Sequence, residues 1–335
     1  MADQTKIEWT DATWNVINGC TLVDDGCKNC YAATLAGTRL KNHPSREGLT
    51  KQNAAGGYQF NGQVRFIESE LMKPMHWRKP RMVFVCAHGD LFHENVPDAW
   101  IDRVFAVMSL CPQHTFQILT KRPDRAREYF TFDDGFGRWG YIEGWAKHIA
   151  NIPDGKTLAY YGGKNLPNVW LGTSVSDQAS AETRIPDLLD TPAVVQFVSA
   201  EPLLGPVDIA PFLHGLDWVI VGGESGKNAR PMHPDWARSM RDQCQAAGVP
   251  FFFKQWGEFA DHTKLHAMCQ GCSASSDLVI NRNGHIIGGG AKGYGGFVDD
   301  DWQEVGGAWM CKTGKRAAGR LLDGREWSEM PRGDA

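Results

Sequence analysis

No stretch of this 335-residue chain approaches the roughly 20 consecutive apolar residues of a membrane-spanning helix, so a soluble globular protein with no membrane partner is expected. The opening run Met1-Ala2-Asp3-Gln4-Thr5-Lys6 lacks the apolar core of a signal peptide. With an odd number of cysteines, nine, this argues against a disulfide framework and for a reducing, cytoplasmic compartment. A dominant sign of charge is also lacking. The 35 Lys and Arg against 39 Asp and Glu leave a net charge of −4, which gives no global pull toward nucleic acid. Nor does Lys312-Thr313-Gly314-Lys315-Arg316-Ala317-Ala318-Gly319-Arg320 match the phosphate-loop pattern Gly-x4-Gly-Lys-Ser/Thr. That basic tail reads either as a phosphate contact or as a solvated helix packing through Leu321 and Leu322.

What the chain does contain is material for a large core, with 42% hydrophobic residues against 22% charged. Nearly continuous apolar runs at 82–86, 115–120, 169–174, 194–199, 218–221 and 250–254 have the pattern of strands buried on both faces of a parallel sheet. Between them, helices are expected to open at Pro97-Asp98 and at Pro234-Asp235, the second ending at Gly248. This alternation predicts an α/β fold, a partial or complete (β/α) barrel over residues 1–258. Thr13 to Ile17 would be its first strand. A basic insertion at about 36–81 carries nine Lys or Arg against three Glu and is the better nucleic-acid candidate. Residues 259–335 form a Cys/His- and Gly-rich extension with the basic tail. Within it, 284–296 holds seven glycines in thirteen residues and reads as a mobile loop or lid. Thirteen tryptophans, several beside cations as in Trp77-Arg78-Lys79 and Arg138-Trp139, either stack bases or fill the core.

The most informative feature is the spacing C-x6-C-x2-C of Cys20, Cys27 and Cys30. Three thiolates hold three irons of a 4Fe-4S cluster and leave the fourth without a protein ligand, whereas an electron-carrying cluster has every iron capped by cysteine. An open position separates a reactive metal site from a structural one. Zinc is the alternative, with a distant fourth ligand such as His88 or His93. A second series, His262, His266, Cys269 and Cys272, spaced H-x3-H-x2-C-x2-C, would suit zinc or a second Fe-S cluster, with Cys311 as a substitute ligand; incidental ligands in a polar insertion are the alternative.

Barrel enzymes work at the C-terminal ends of their strands. Here those positions are Cys86, His88 and Asp90; Thr120, Lys121 and Arg122; Ser174 and Asp177; Ser199 and Glu201; Gly222, Gly223, Glu224 and Ser225; and Lys254 and Gln255. Asp177 reads equally as a helix cap, and Glu201-Pro202 as a plain strand stop.

The segments Trp14-Asn15 through Cys30-Tyr31-Ala32, Val198 to Val207, Trp218 to Gly226, Ala229-Arg230-Pro231-Met232, Phe253 to Gly257 and Ala317 to Gly324 together resemble the phage-associated radical S-adenosylmethionine (SAM) family with a three-Cys motif, distantly similar to spore photoproduct lyase. The first gap is six residues where most radical SAM proteins have three. The resemblance implies a barrel of radical SAM type, SAM bound at the open iron of a cluster on Cys20, Cys27 and Cys30, and an electron donor as partner. It further implies contacts to the methionine moiety of SAM at Gly222, Gly223 and Glu224; from their place at strand ends, Ser199 and Ser174 read as cofactor contacts and Glu201 and Lys254 as catalytic, with ordinary strand ends as the alternative. For Gly222-Gly223-Glu224 an ordinary glycine turn is the alternative. The phage context implies DNA carrying a modified base as substrate, an isomerase or lyase reaction of thymine hypermodification, and the host cytoplasm as location. The alternatives are a radical SAM enzyme acting on a metabolite or peptide, or a non-catalytic Fe-S or zinc protein that binds nucleic acid or a partner.

Overall fold

The computed structural model describes residues 5, 7–153, 165–261, 278–289 and 306–331. The chain forms two compact units, Met1–Thr173 with Arg184–Phe197, and Ser174–Thr183 with Val198–Ala335. In chain order the elements begin with β1 (Ala12–Trp14), β2 (Ile17–Asn18), α1 (Tyr31–Gly37), β3 (Thr50–Gln52), β4 (Tyr58–Phe60), β5 (Arg65–Phe66) and α2 (Glu68–Leu71). Next come β6 (Met82–Val85), α3 (Asp98–Ser109), β7 (Thr115–Thr120), α4 (Pro123–Thr131), α5 (Gly137–Ile149), β8 (Val169–Val175), α6 (Gln178–Leu189) and β9 (Val195–Ala200). The remainder is β10 (Trp218–Gly222), α7 (Pro234–Ala247), β11 (Phe251–Gln255), β12 (Phe259–Asp261), β13 (Leu278–Ile280), β14 (Ile286–Gly289), β15 (Ala308–Lys312) and α8 (Lys315–Ala318).

Seven strands form one sheet in the order β1-β6-β7-β8-β9-β10-β11. The pairs β1/β6, β6/β7, β7/β8 and β10/β11 run parallel. Every residue of β8 and of β10 is buried, as expected of strands covered on both faces. The α/β expectation is met, and the sheet is compatible with a partial β/α barrel.

The first strand departs from expectation. Thr13 to Ile17 does not run as one strand: β1 pairs with β6, and β2 leaves the main sheet to pair antiparallel with β5, Ile17 opposite Phe66. The Ile67 N–H donates to Val16 O at 2.8 Å, so the basic insertion satisfies a backbone group that a longer β1 would have used, and the Trp14 indole N–H donates to Glu70 O. The insertion is accordingly folded, with β3 and β4 as a hairpin. Leu49 and Phe60 pack with Ala32, Ala33 and Ala36 of α1, and Cys20 and Cys30 lie against this cluster. Two of the insertion's cations are engaged: Arg46 is buried, and the half-buried Arg65 donates to Pro44 O and Glu47 O. Arg39, Lys41, Lys51, Arg78 and Lys79 remain exposed. Trp77 is buried with the Arg81 guanidinium 5.0 Å from its ring centre, a packing arrangement and not an open stacking platform.

In the second unit α7 begins where the Asp235 N–H donates to His233 Nδ1, and it ends at Gly248 in the left-handed conformation, φ 71°. Asp177 does cap α6, accepting from Ser180 N at 2.8 Å. The free edge of β11 is covered by the C-terminal segment: Phe253 N donates to Trp327 O, and Glu329 N to Phe251 O. Strands β12, β15, β13 and β14 make a separate antiparallel sheet in that order. The glycine-rich stretch therefore contributes Ile286–Gly289 to a sheet, paired with β13, and is not a lid there; its remainder lies outside the described residues. Of the tail's two leucines, Leu322 is buried and Leu321 exposed.

Candidate metal centre

The cysteine loop belongs to the first unit and starts from a tight passage. Gly19 has φ 100°, and a Cβ there would stand 2.0 Å from Gln63 O, so no other residue fits before Cys20. Gly19 N donates to His88 O, and Cys20 O accepts from Gly62 N. Cys27 N and Cys30 N close successive turns on Asp24 O and Cys27 O, and Cys30 stands at the N-cap of α1. All three cysteines are free and half-buried.

Burial holds two of the loop's sulfurs toward the neutral thiol, and at each a neighbouring group opposes it. Burial, then Asp90, push the Cys20 thiol up to about 12, against which Arg122 acts; its Nη1 lies 3.7 Å from Cys20 Sγ. Burial likewise raises Cys30, opposed by the amides of Ala33 and Ala32 at the start of α1. Arg122 is fixed on every side: Nη1 to Asp90 Oδ2 at 3.1 Å, Nε to Glu94 Oε2 at 2.7 Å and Nη2 to Thr21 Oγ1 at 2.5 Å. Asp90 in turn accepts from Thr120 Oγ1, Phe92 N and Lys121 N. Free thiols must shed protons to bind metal, and a guanidinium and helix-start amides beside the sulfur ease that loss. Three cysteine sulfurs on one loop are donors of the type that holds an iron-sulfur group, and among the described residues no three Cys, His, Asp or Glu side chains stand together as a metal-binding group.

The six residues between Cys20 and Cys27 have their own anchors. Asp24 lies 2.7 Å from Lys121 Nζ and 2.6 Å from Arg184 Nη2. Burial pushes its carboxyl up, but the two cations outweigh that and hold it below its usual range. The lengthened gap is therefore pinned by the residues that follow β7 and by α6. Neither histidine weighed as a fourth zinc ligand is free at both ring nitrogens: His93 Nε2 is 3.1 Å from Thr21 Oγ1, and His88 Nδ1 accepts from Arg46 Nε at 3.1 Å.

The remaining predicted residues lie in the second unit. Lys254 Nζ is 2.7 Å from Glu201 Oε2, with both side chains mostly buried. Ser199 Oγ donates to Glu201 Oε1 at 3.2 Å and Ser174 Oγ to Glu201 O at 3.1 Å. Gly222 leaves room for this pair, since a Cβ there would stand 2.9 Å from Glu201 Oε2. Gly223 has a different reason to be glycine, because its Cβ would fall 2.0 Å from Trp256 O. The Glu224 carboxylate is buried and engaged by Arg230, accepting from its backbone N–H at 2.8 Å, Nε at 2.9 Å and Nη2 at 2.6 Å. His262, His266, Cys269 and Cys272 lie outside the described residues.

In the sequence Arg122 and Asp90 stand out only as strand-end residues, and Asp24, Arg184 and Arg46 carry no motif of their own. The available signal was an acid inside the widened cysteine gap and a Lys-Arg pair closing a buried strand.

Fold and site define an α/β protein with a parallel seven-stranded sheet and a half-buried three-cysteine loop. The chain belongs to the family described as Protein of unknown function (DUF5131), whose profile matches residues 4–331. No curated protein and no solved structure matches it.

Proposed function

We propose that this chain is a radical SAM enzyme whose Cys20, Cys27 and Cys30 hold a 4Fe-4S cluster. The observation that carries the reading is one loop bearing three free, half-buried thiols, with Arg122 on Cys20 and the start of α1 on Cys30. Held by these three cysteines and reduced by an external one-electron donor, such a cluster with SAM would supply reductive S–C5′ cleavage, releasing methionine and giving a hydrogen-abstracting 5′-deoxyadenosyl group for a substrate C–H. Asp24 with Lys121 and Arg184 keeps the cysteine loop in place, and the packing of α1 against Leu49 and Phe60 keeps water from one side of it. In the second unit Lys254 and Glu201 form an ion pair at 2.7 Å and would serve acid or base steps.

The proposed substrate is a thymine in DNA that carries an amino-acid adduct. Hydrogen leaves the adduct carbon, the substituent migrates from nitrogen to carbon, and a hydrogen returns, so the isomerisation involves no net oxidation. The exposed cations Arg39, Lys41, Lys51, Arg78 and Lys79 support contact with a phosphate backbone, and a duplex base would be flipped out to react. The test is anaerobic: protein reconstituted with iron and sulfide receives dithionite and SAM, and 5′-deoxyadenosine is measured against Cys30→Ala. Product that depends on Cys30 is expected. Absence of product from a cluster-loaded wild type, both without and with modified DNA, would sink the reading.

A further inference from the structure

Three arginines of the described residues are buried: Arg46, Arg138 and Arg184. Arg138 meets Asp98 and Asp102, and Arg184 meets Asp24. Arg46, 5% exposed, has no carboxylate among the described residues. Its Nε donates to His88 Nδ1 at 3.1 Å, and its Nη1 to Ser45 Oγ at 2.8 Å and Ser45 O at 3.3 Å, all neutral acceptors. The nearby acid Glu70 is bonded instead to Lys73 at 3.2 Å. Nη2 has no acceptor among the described residues and is not sealed from solvent. Burying a cation without an anion is costly, and proteins pair such groups or give them a ligand.

His88 extends the feature. Because Nδ1 accepts from the guanidinium, the ring proton sits on Nε2, which has no acceptor among the described residues and is likewise open. Burial first, and then the Arg46 charge, hold the imidazole down to about 4, so it offers a neutral N–H. His88 adjoins the cysteine loop, and Arg46 is tied to it through His88. The His88 carbonyl accepts from Gly19 N, next to Cys20, and its ring is 6.1 Å from that of Tyr31, next to Cys30. Tyr31 is held over this point by its hydroxyl, which donates to Ala87 O at 3.0 Å.

We propose that Arg46 and His88 form a binding subsite for an oxyanion, the phosphate or carboxylate group of a small ligand that enters beside the cysteine loop. A guanidinium supplies charge and directed donors that suit these groups, and the imidazole N–H adds a donor without added charge. The subsite goes beyond the proposed radical chemistry and needs no metal, so it is tested on metal-free protein.

The experiment measures binding of inorganic phosphate, thymidine 5′-monophosphate and SAM by calorimetry at low salt, for wild type, Arg46→Met, Arg46→Lys and His88→Phe. Far-ultraviolet circular dichroism checks the fold of each. Wild type is expected to bind at least one probe, about tenfold or more tightly than Arg46→Met does, with partial recovery in Arg46→Lys and a loss for the same probe in His88→Phe. A loss confined to the two phosphates assigns the subsite to a substrate phosphate; a loss confined to SAM assigns it to the methionine carboxylate. No binding of any probe by wild type, or wild-type binding by folded variants, overturns the proposal. If Arg46→Met does not fold, Arg46→Lys and His88→Phe decide. Failure here would leave SAM cleavage by the cluster-loaded protein untouched, so the two readings stand or fall separately.

Discussion

Gly222 and Gly223 are neighbours that lack a side chain for different reasons, and substitution separates them. An alanine methyl at 223 meets the backbone oxygen of Trp256 at 2.0 Å, which cannot move without shifting the chain. Gly223→Ala is therefore expected to destabilise by about 1–3 kcal/mol, read as a lower urea midpoint. At 222 the obstacle is the far end of Glu201, at 2.9 Å. Gly222→Ala should cost little stability and instead displace Glu201 from Lys254. The histidines allow a second prediction at this scale. Burial holds His88, His93, His114 and His233 below the ordinary value of 6.5, His88 down to about 4. As pH falls below 6.5 the unfolded chain takes up these protons before the folded one does, so stability present at neutral pH is lost as pH drops toward the folded values. The urea midpoint should decline from about pH 7 to about pH 4.5, and less steeply in His88→Gln. An equal slope in that variant would mean His88 is not held neutral.

At the scale of elements, the cysteine loop is set by three others: β7 supplies Lys121 and Arg122 just past its end, α6 supplies Arg184, and β5 holds the chain that leads into Gly19. Asp24 is the point where two of these grip the widened gap. Asp24→Asn removes the charge and leaves Lys121 and Arg184 facing an amide, a cost of up to about 3 kcal/mol for groups this buried. Protein loaded with iron should then lose it to a chelator faster than wild type does. Unchanged iron loss would separate the loop's anchoring from its ligand function.

For the whole molecule, six of the seven main strands could be read from the sequence, because a strand buried on both faces is written as an unbroken apolar run; β8 and β10 are the plainest. The break between β1 and β2 could not, since it depends on partners at Arg65 and Phe66 that no local pattern announces. The candidate site divides the same way. The spacing of Cys20, Cys27 and Cys30 is a local signal, whereas Asp24 meeting Arg184 joins positions 160 apart in the chain, and the isolation of Arg46 emerges only when the other buried arginines have found their acids. Gly222-Gly223-Glu224 was legible as a glycine turn after a strand, but not the reasons for it, which lie in Glu201, Trp256 and Arg230.

The proposed iron-sulfur cluster with one open iron is tested by the metal and acid-labile sulfide content of anaerobically prepared protein beside the variant with Cys20, Cys27 and Cys30 all changed to alanine. About four irons and four sulfides per chain, absent from the variant, is the predicted result. Zinc without sulfide in the wild type, or iron and sulfide retained in full by the variant, would contradict it.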